Sequence, residues 1–544
     1  MIYMGIFMQK FLKKFRQKPL FMLLPSAAAF LILSVLFLHF HQDADQAFSK
    51  YTSELFRQEI SGNTITLHYT LKNPENYGIN NTPISYGQCT TAPGLVRSSV
   101  DAERTRLQSH NRTSLSKDNR LTYDVLDNYL TSAYNLAPYT LYEEPLAPLT
   151  GTQSQLPVIL SEYRFYKISD IDNYLKLLTR TPEYFRSILN FEHTKSESGL
   201  FMASYTADSI IKECRDFVNL KESNYLYSSF VERLEELASA KDGVLTEKQR
   251  EAYTRQNNVY IKKYIFPAYE QLISGLSELR SSGKNNNGLC YLPNGRTYYE
   301  YLVKEKTGTI SSPDSLFQML TKKLNESEQK LATLAATSPS SFLTCEKHTS
   351  KYEEPKSILT HLKKKIRTDF PALKKQTCHI RAVDSSLENF LSPAFYLTPP
   401  IDEPAANVIY INHAAKYRHQ NLHATLAHEG YPGHLFQNCY FREKNKHPLR
   451  YVLNFPAYTE GYATYAEIYS YQFLDATKEE IDILQNNAIS THCLYALCDI
   501  GIHAKHWNQK KLSDFLANHG IVTADNAKAI YETIIDSPGS YLPY

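Results

Sequence analysis

Apolar side chains recur three and four residues apart along most of this 544-residue sequence. Ile171, Tyr174, Leu175 and Leu178 form one such run. This spacing brings apolar residues to one face of a helix, whereas a half-buried strand would alternate apolar and polar positions. With 42% hydrophobic and 21% charged residues, the chain also has the composition of a globular protein. The sequence therefore predicts a mainly α-helical body with a sizeable core.

Two polar segments interrupt this helical pattern. Ser281–Gly288 and Gly308–Asp314 lack apolar periodicity and are rich in residues that favour turns. We therefore predict one helical domain over residues 46–544, with a candidate subdomain seam near residues 281–314.

The N-terminus has the features of a membrane segment. No residue from Pro19 to Gln42 is charged, and Leu20–Leu38 is almost entirely apolar, close to the ~20 residues that a spanning helix needs. Basic residues precede this segment, so the sequence predicts a cytoplasmic tail at 1–18, a transmembrane signal anchor at 19–42 and an exported body. A cleaved signal peptide is the alternative, but the apolar stretch is longer than usual and lacks a clear cleavage site. A buried core helix is a weaker alternative.

The charge balance argues against a nucleic-acid partner. The formal net charge is +3, and the first 42 residues hold five basic and no acidic side chains, which leaves −2 for the body. Binding to nucleic acid requires clustered Lys and Arg that displace phosphate counterions. The body has no such excess.

One stretch departs from the helical pattern. The residues from Asn407 to Asn412 are mostly β-branched or aromatic, which favours a strand. The next helix, from Leu422 onward, carries the histidines His428 and His434. Two interpretations of the strand are open: its backbone adds an extended peptide as a further strand, or it only packs in the core.

The segment His428-Glu-Gly-Tyr-Pro-Gly-His434 resembles a zinc motif. Catalytic zinc takes three protein ligands and keeps one position for water, and a Glu between two histidines is free to act as a base. Here the histidines are six residues apart, about 120° from a shared helical face. Pro432 and Gly433 are expected to distort the helix and return His434 to the ion. The alternative is that both histidines are ordinary surface or core residues.

A third ligand is expected from another helix. Glu460 and Glu467 are seven residues apart and share one helical face. We prefer Glu460 as the ligand and Glu467 as a hydrogen-bonding partner of a histidine N–H. His423 is a weaker competing ligand, and exposed acids without a metal are the alternative interpretation.

A group that stabilises negative charge on the substrate oxygen is also needed. His503, Tyr541 and Tyr544 are candidates for this role. Asp499 either orients a ligand, binds substrate or serves the structure alone, and the structural role is favoured.

Several motifs occur in a fixed order along the chain. His428–His434, Glu460–Glu467, Asp499–His503 and Ser537–Leu542 follow three upstream segments: Leu156–Tyr163, Leu292–Tyr299 and Ser392–Pro400. Together they resemble the bacterial domain of unknown function 885 family, and the similarity spans nearly everything after the anchor. The resemblance implies a mainly helical zinc metallopeptidase similar to gluzincins.

The resemblance also implies specific roles for residues of this chain. His428, His434 and Glu460 would bind one Zn²⁺, Glu429 would act as general base, and Leu292–Tyr299 would help line the cleft. The sequence departs from the family in two places. It has Tyr462 where the family usually has Trp, and it stops at Tyr544 where members usually continue into a further helix. We therefore expect either exposed apolar surface or an incomplete cleft at this end.

These observations predict a membrane-anchored zinc metallopeptidase outside the cytoplasm. Its partners would be a peptide substrate and, through the N-terminal helix, the cell membrane. A zinc-activated water would hydrolyse the peptide bond with Glu429 as general base. Two alternatives remain: a zinc amidase acting on a non-peptide amide, and an inactive surface-binding protein with the same fold.

Overall fold

The computed structural model of the protein describes residues 43–240, 244–345, 352, 354–374, 376–383, 388, 391–417, 422–521 and 523–544. The predicted basic tail at residues 1–18 and the predicted transmembrane anchor at residues 19–42 lie outside these ranges. Within the described ranges, no helix has both the length and the apolar character needed to cross a membrane.

Most of the described chain is helical, which confirms the predicted mainly α-helical body. Ile171, Tyr174, Leu175 and Leu178 are all buried, as expected for residues on one helical face. The helices have these bounds: α1, residues 43–61; α2, Thr64–Thr70; α3, Pro93–Gln108; α4, Lys117–Leu136; α5, Thr152–Ser161; α6, Ile168–Glu197; α7, Ser204–Asn219; α8, Tyr225–Ala240; α9, Glu247–Tyr260; α10, Phe266–Leu279; α11, Gly295–Thr307; α12, Pro313–Thr337; α13, Pro339–Cys345; α14, Pro355–Lys365; α15, Leu422–Glu429; α16, His434–Lys444; α17, Tyr462–Ser470; α18, Lys478–Ala504; α19, Gln509–Asn518; α20, Ala524–Asp536.

Three short strands form one mixed sheet. They are β1, Cys378–Ala382; β2, Ala394–Leu397; and β3, Asn407–Ile411. The strand order is β1-β3-β2, with β1 parallel and β2 antiparallel to β3. The predicted strand at residues 407–412 is therefore confirmed as β3.

β3 is the central strand and is buried on both faces. Val408 and Tyr410 pack into the core that α6, α7, α8 and α10 share, whereas Ile409 and Ile411 pack toward α15 and α16. Because β1 and β2 occupy both of its edges, β3 has no free edge for a peptide. The docking interpretation of this strand is wrong, and the packing interpretation is correct. The strand with an outer edge beside α15 is β2.

The region of the candidate seam, residues 281–314, packs against the C-terminal helix α18. It contains α11, whose buried Tyr299 and Val303 pack against Ile500 and Ala504 of α18. Its Tyr298 lines a cavity that also contains Glu460, and the expectation that Leu292–Tyr299 lines the cleft stays a prediction. The seam itself stays a prediction.

The structure describes all eight cysteines, and none of them forms a disulfide. Five of them are buried: Cys214, Cys345, Cys439, Cys493 and Cys498. They act as small apolar side chains within the packing of the helices.

Candidate metal centre

The helix that carries the motif is interrupted between its two histidines. α15 ends at Glu429 and α16 begins at His434, so residues 430–433 lie outside both helices. The break is held by backbone bonds: the Gly433 N–H donates to the Ala427 carbonyl at 2.8 Å, and the Phe436 N–H donates to the Gly430 carbonyl at 3.1 Å. The predicted distortion at Pro432 and Gly433 is therefore confirmed.

Gly433 is required by a close backbone approach. A Cβ atom built on this residue would lie 1.8 Å from the carbonyl oxygen of His428 and 2.5 Å from that of Ala427. Both obstacles are backbone atoms, so neither can rotate away. Only glycine allows the chain to fold back here and bring His434 beside His428.

The two histidines and Glu460 converge on one point. Glu460 Oε2 lies 3.6 Å from His428 Nε2 and 3.5 Å from His434 Nε2. All three ligand atoms lie within 4.8 Å of one another. Two ligand atoms about 2.0–2.2 Å from a zinc ion at the tetrahedral angle lie roughly 3.3–3.6 Å apart. The two distances to Glu460 and the donor set, two imidazoles and one carboxylate, therefore fit zinc.

A π-helical turn presents Glu460 to the histidines. This turn, Ala457–Gly461, precedes α17, which carries Glu467. Glu467 Oε2 lies 3.2 Å from Nδ1 of His428, on the ring nitrogen that Glu460 does not face. The structure thus places Glu467 where it can fix the orientation and tautomer of the imidazole.

The histidines and glutamates of the cluster stabilise each other's charged forms. Burial by itself would lower the pKa of His428, but its contacts with Glu460 and Glu467 outweigh burial and raise that pKa to about 10. Burial would raise the pKa of Glu460, but the two histidines lower it to about 2. The site therefore favours positive charge next to Glu460. Zinc binds the neutral imidazole, so it would replace these protons.

Glu429 lies beside the cluster on the last turn of α15. Its Oε2 accepts a 2.8 Å hydrogen bond from the backbone N–H of Tyr396 in β2. Burial raises the pKa of Glu429 despite the two nearby histidines. The carboxyl group is thus fixed in orientation and has a greater affinity for a proton than an exposed glutamate. The sequence did not indicate Tyr396, because nothing local to Glu429 points to a strand 33 residues away.

Tyr544 is the candidate tyrosine that reaches the cluster. Its ring stacks between His428, at 6.5 Å between centroids, and His492, at 6.1 Å. Burial and the charge of Glu460 raise the pKa of Tyr544 to about 12. The phenol therefore keeps its proton at neutral pH. His492 was not anticipated, because it lies on α18, outside the motifs.

The structure does not bring His503 or Tyr541 to the cluster. Both ring nitrogens of the buried His503 bond to the backbone, Nδ1 to the Leu289 N–H and Nε2 to the Ile534 carbonyl. Tyr541 stacks on Tyr495 with 4.8 Å between ring centroids. Neither side chain contacts the cluster within the described part of the chain.

Asp499 and His423 also bond elsewhere. Asp499 is fully buried and accepts hydrogen bonds from the Gly539 N–H and the Tyr299 hydroxyl. It ties down the segment that carries Tyr544, which agrees with the favoured structural role. His423 Nε2 bonds to the Ser470 carbonyl at 3.1 Å, so this histidine packs α15 against α17.

Two cavities meet at Glu460. The first, which we call the cleft cavity, has a volume of about 1070 Å³ and also exposes His434, Tyr396, Phe441 and Phe455. The second, which we call the acidic cavity, has a volume of about 500 Å³ and is lined by several carboxyl groups and by Tyr544. The cleft cavity is as large as typical small-ligand sites.

Comparisons with known proteins agree with this fold. The sequence family described as bacterial protein of unknown function (DUF885) matches residues 96–544. A candidate lipoprotein from Colwellia psychrerythraea has a similar crystal structure, with a TM-score of 0.76 and 16% identity over 92% of this chain and 91% of that chain. A candidate lipoprotein of unknown function from Shewanella oneidensis aligns with a TM-score of 0.58 and 14% identity over 93% and 91%. No curated protein matches the sequence. Because the family match extends over most of the sequence, the chain belongs to the bacterial domain of unknown function 885 family.

Proposed function

We propose that the protein is a zinc-dependent peptidase. The observation that carries this proposal is the convergence of His428, His434 and Glu460 within 4.8 Å, with Glu429 beside them. His434 and Glu460 line the wall of the cleft cavity. Two imidazoles and one carboxylate are a ligand set of catalytic rather than structural zinc sites, because they leave one coordination position open.

Several residues of the chain would each have a separate role in hydrolysis. When bound, zinc would supply a positive charge that acidifies water and polarises a carbonyl group. Glu429 would accept the proton of the attacking water and pass it to the leaving nitrogen, since burial raises its pKa and Tyr396 holds it in place. Glu467 would keep His428 in the orientation for binding.

The position of β2 supports a peptide substrate. The Tyr396 N–H bonds to Glu429, so the outer edge of this strand faces the candidate base and not β3. An edge strand offers backbone groups to an extended peptide, and the side chains of that peptide would enter the adjoining cavity. This arrangement would place the scissile bond close to Glu429.

We place this activity outside the cytoplasm, at the membrane. The support comes from the basic and apolar N-terminus of the sequence, and from the two structural relatives, both described as candidate lipoproteins. A signal anchor at residues 19–42 would hold the body at the outer surface.

Metal analysis and peptide digestion test the proposal together. Purified protein is expected to contain one zinc per chain and to cleave members of a short-peptide library. Chelation should abolish cleavage and added zinc should restore it. In cell fractions, the full chain should sediment with membranes. Stoichiometric zinc without cleavage of any peptide would contradict peptidase activity, and absence of zinc would contradict the metal site.

Tyr544 is the candidate donor to the substrate oxygen, in place of His503 and Tyr541. Replacement by phenylalanine should lower kcat by about 10²–10³-fold with little change in KM, because the donor acts mainly on the transition state. Zinc content should not change. Tyr541→Phe is the matched control, since that phenol stacks on Tyr495. An unchanged kcat in Tyr544→Phe would exclude this role.

A further inference from the structure

Arg450 lies in the same cavity as two of the three candidate metal ligands. It belongs to the short helical turn Pro448–Tyr451 and lines the cleft cavity, which also exposes His434 and Glu460. Its side chain is only 14% exposed, so a long cationic side chain is held largely inside the protein. A cation that is largely removed from water usually has a hydrogen-bonding partner.

The hydrogen-bonding capacity of Arg450 is unused. Asp118 Oδ1 lies 3.9 Å from Nη1, too far for a hydrogen bond, and its other oxygen lies 3.3 Å from His447. The ring of Phe441 supports the guanidinium at 5.4 Å. No hydrogen bond joins the guanidinium to any residue that the structure describes. Five N–H donors are therefore available to a ligand.

The other charges of the cleft cavity are already paired. Asp124 receives two hydrogen bonds from Arg112, and Glu305 lies 3.2 Å from Lys306. Among the described lining residues, Arg450 is the only arginine or lysine. It is therefore the group in this cavity that an anionic part of a ligand would contact.

The cavity on the other side of Glu460 is lined by more carboxyl groups than the cleft cavity. Its lining includes Glu143, Glu144 and Asp536, with Lys306 as its only basic lining residue among those described. Carboxylate groups repel an anion, so a negatively charged part of a substrate is directed away from the acidic cavity and toward Arg450.

We propose that Arg450 binds a carboxylate of the peptide substrate and thereby determines specificity. This inference rests on the proposed peptidase function and adds a substrate class to it: short peptides that carry a carboxylate on the part bound in the cleft cavity. Guanidinium and carboxylate groups match in geometry and form two parallel hydrogen bonds. The carboxylate belongs either to the C-terminus of the peptide or to an Asp or Glu side chain.

Peptide pairs that differ only in this charge test the assignment. One pair has a free or an amidated C-terminus, and a second, amidated pair has Asp or Asn at one position. For at least one pair, the wild type should cleave the charged member with a KM about 10–100-fold lower. The pair that responds identifies the source of the carboxylate. Equal KM values within both pairs would overturn the proposal.

Variants of Arg450 connect this preference to the residue. In Arg450→Gln the ratio of the two KM values should fall to about one, and Arg450→Lys should retain part of it, because lysine keeps the charge without the paired donors. Arg280→Gln is the control: it removes the same charge from an exposed pair with Asp208. A ratio that persists in Arg450→Gln would also overturn the proposal.

Binding measurements separate this inference from the peptidase proposal. Calorimetry on the Glu429→Gln variant with the same peptides reports affinity without turnover. Preferential binding of the charged member with no cleavage by the wild type would contradict the peptidase function and support the role of Arg450. Chelator-sensitive cleavage without any charge preference would support the peptidase function and contradict the role of Arg450.

Discussion

Replacement of Glu429 by glutamine is expected to reduce kcat for peptide hydrolysis by about 10²–10⁴-fold. The amide has nearly the shape of the carboxylate and can still accept the hydrogen bond from the Tyr396 N–H. It cannot accept a proton from water, so the chemical step is lost while the fold remains. Zinc content should stay at one ion per chain, because Glu429 is not among the three converging ligands. Initial rates on a cleaved library peptide and metal analysis measure both effects.

Glu443→Gln provides a matched control for this experiment. Glu443 lies on α16 and, like Glu429, accepts a hydrogen bond from a backbone N–H, that of Lys374 at 2.7 Å. This hydrogen bond does not involve any residue of the cluster, so replacement of Glu443 should leave kcat unaltered. If Glu429→Gln retained wild-type kcat, Glu429 would not be the general base.

Replacement of Glu460 by glutamine is expected to weaken zinc binding by more than about 100-fold. Loss of a residue that only supports a ligand typically weakens metal affinity 10–100-fold, and loss of a direct ligand should exceed this. The change also removes the negative charge that faces both histidines at 3.5 and 3.6 Å. Peptide cleavage should be lost at zinc concentrations that saturate the wild type. Competition with a chelator of known affinity measures the loss.

Glu305→Gln separates this effect from a general loss of charge. Glu305 lines the same two cavities as Glu460, but it pairs with Lys306 and is not part of the cluster. Its variant should bind zinc like the wild type. If Glu460→Gln bound zinc with unchanged affinity, the third ligand would have to be another residue.

The features that the sequence predicted well depend on neighbouring residues. The strand at β3 was predictable because consecutive β-branched and aromatic residues favour extended backbone. The break between His428 and His434 was predictable because Pro432 and Gly433 alter the backbone conformation at their own positions. The placement of Glu467 near a histidine followed from helical periodicity.

The features that the sequence missed depend on distant segments. The order of the three strands made β3 central and β2 the edge strand, and no property of residues 407–412 indicates which neighbours they acquire. The bond from Tyr396 to Glu429 crosses 33 residues of sequence. His503 resembled a catalytic histidine in sequence. In the structure, however, both of its ring nitrogens form hydrogen bonds with backbone groups.

The sequence by itself determined the helical character of the body, the position of one strand and the break within the motif His428–His434. Each of these follows from local spacing and backbone preference. Only the tertiary structure decided that Glu460 meets both histidines, that Tyr544 is the tyrosine beside them and that Arg450 shares their cavity. These arrangements depend on how remote helices pack against one another, and packing is a property of the whole core.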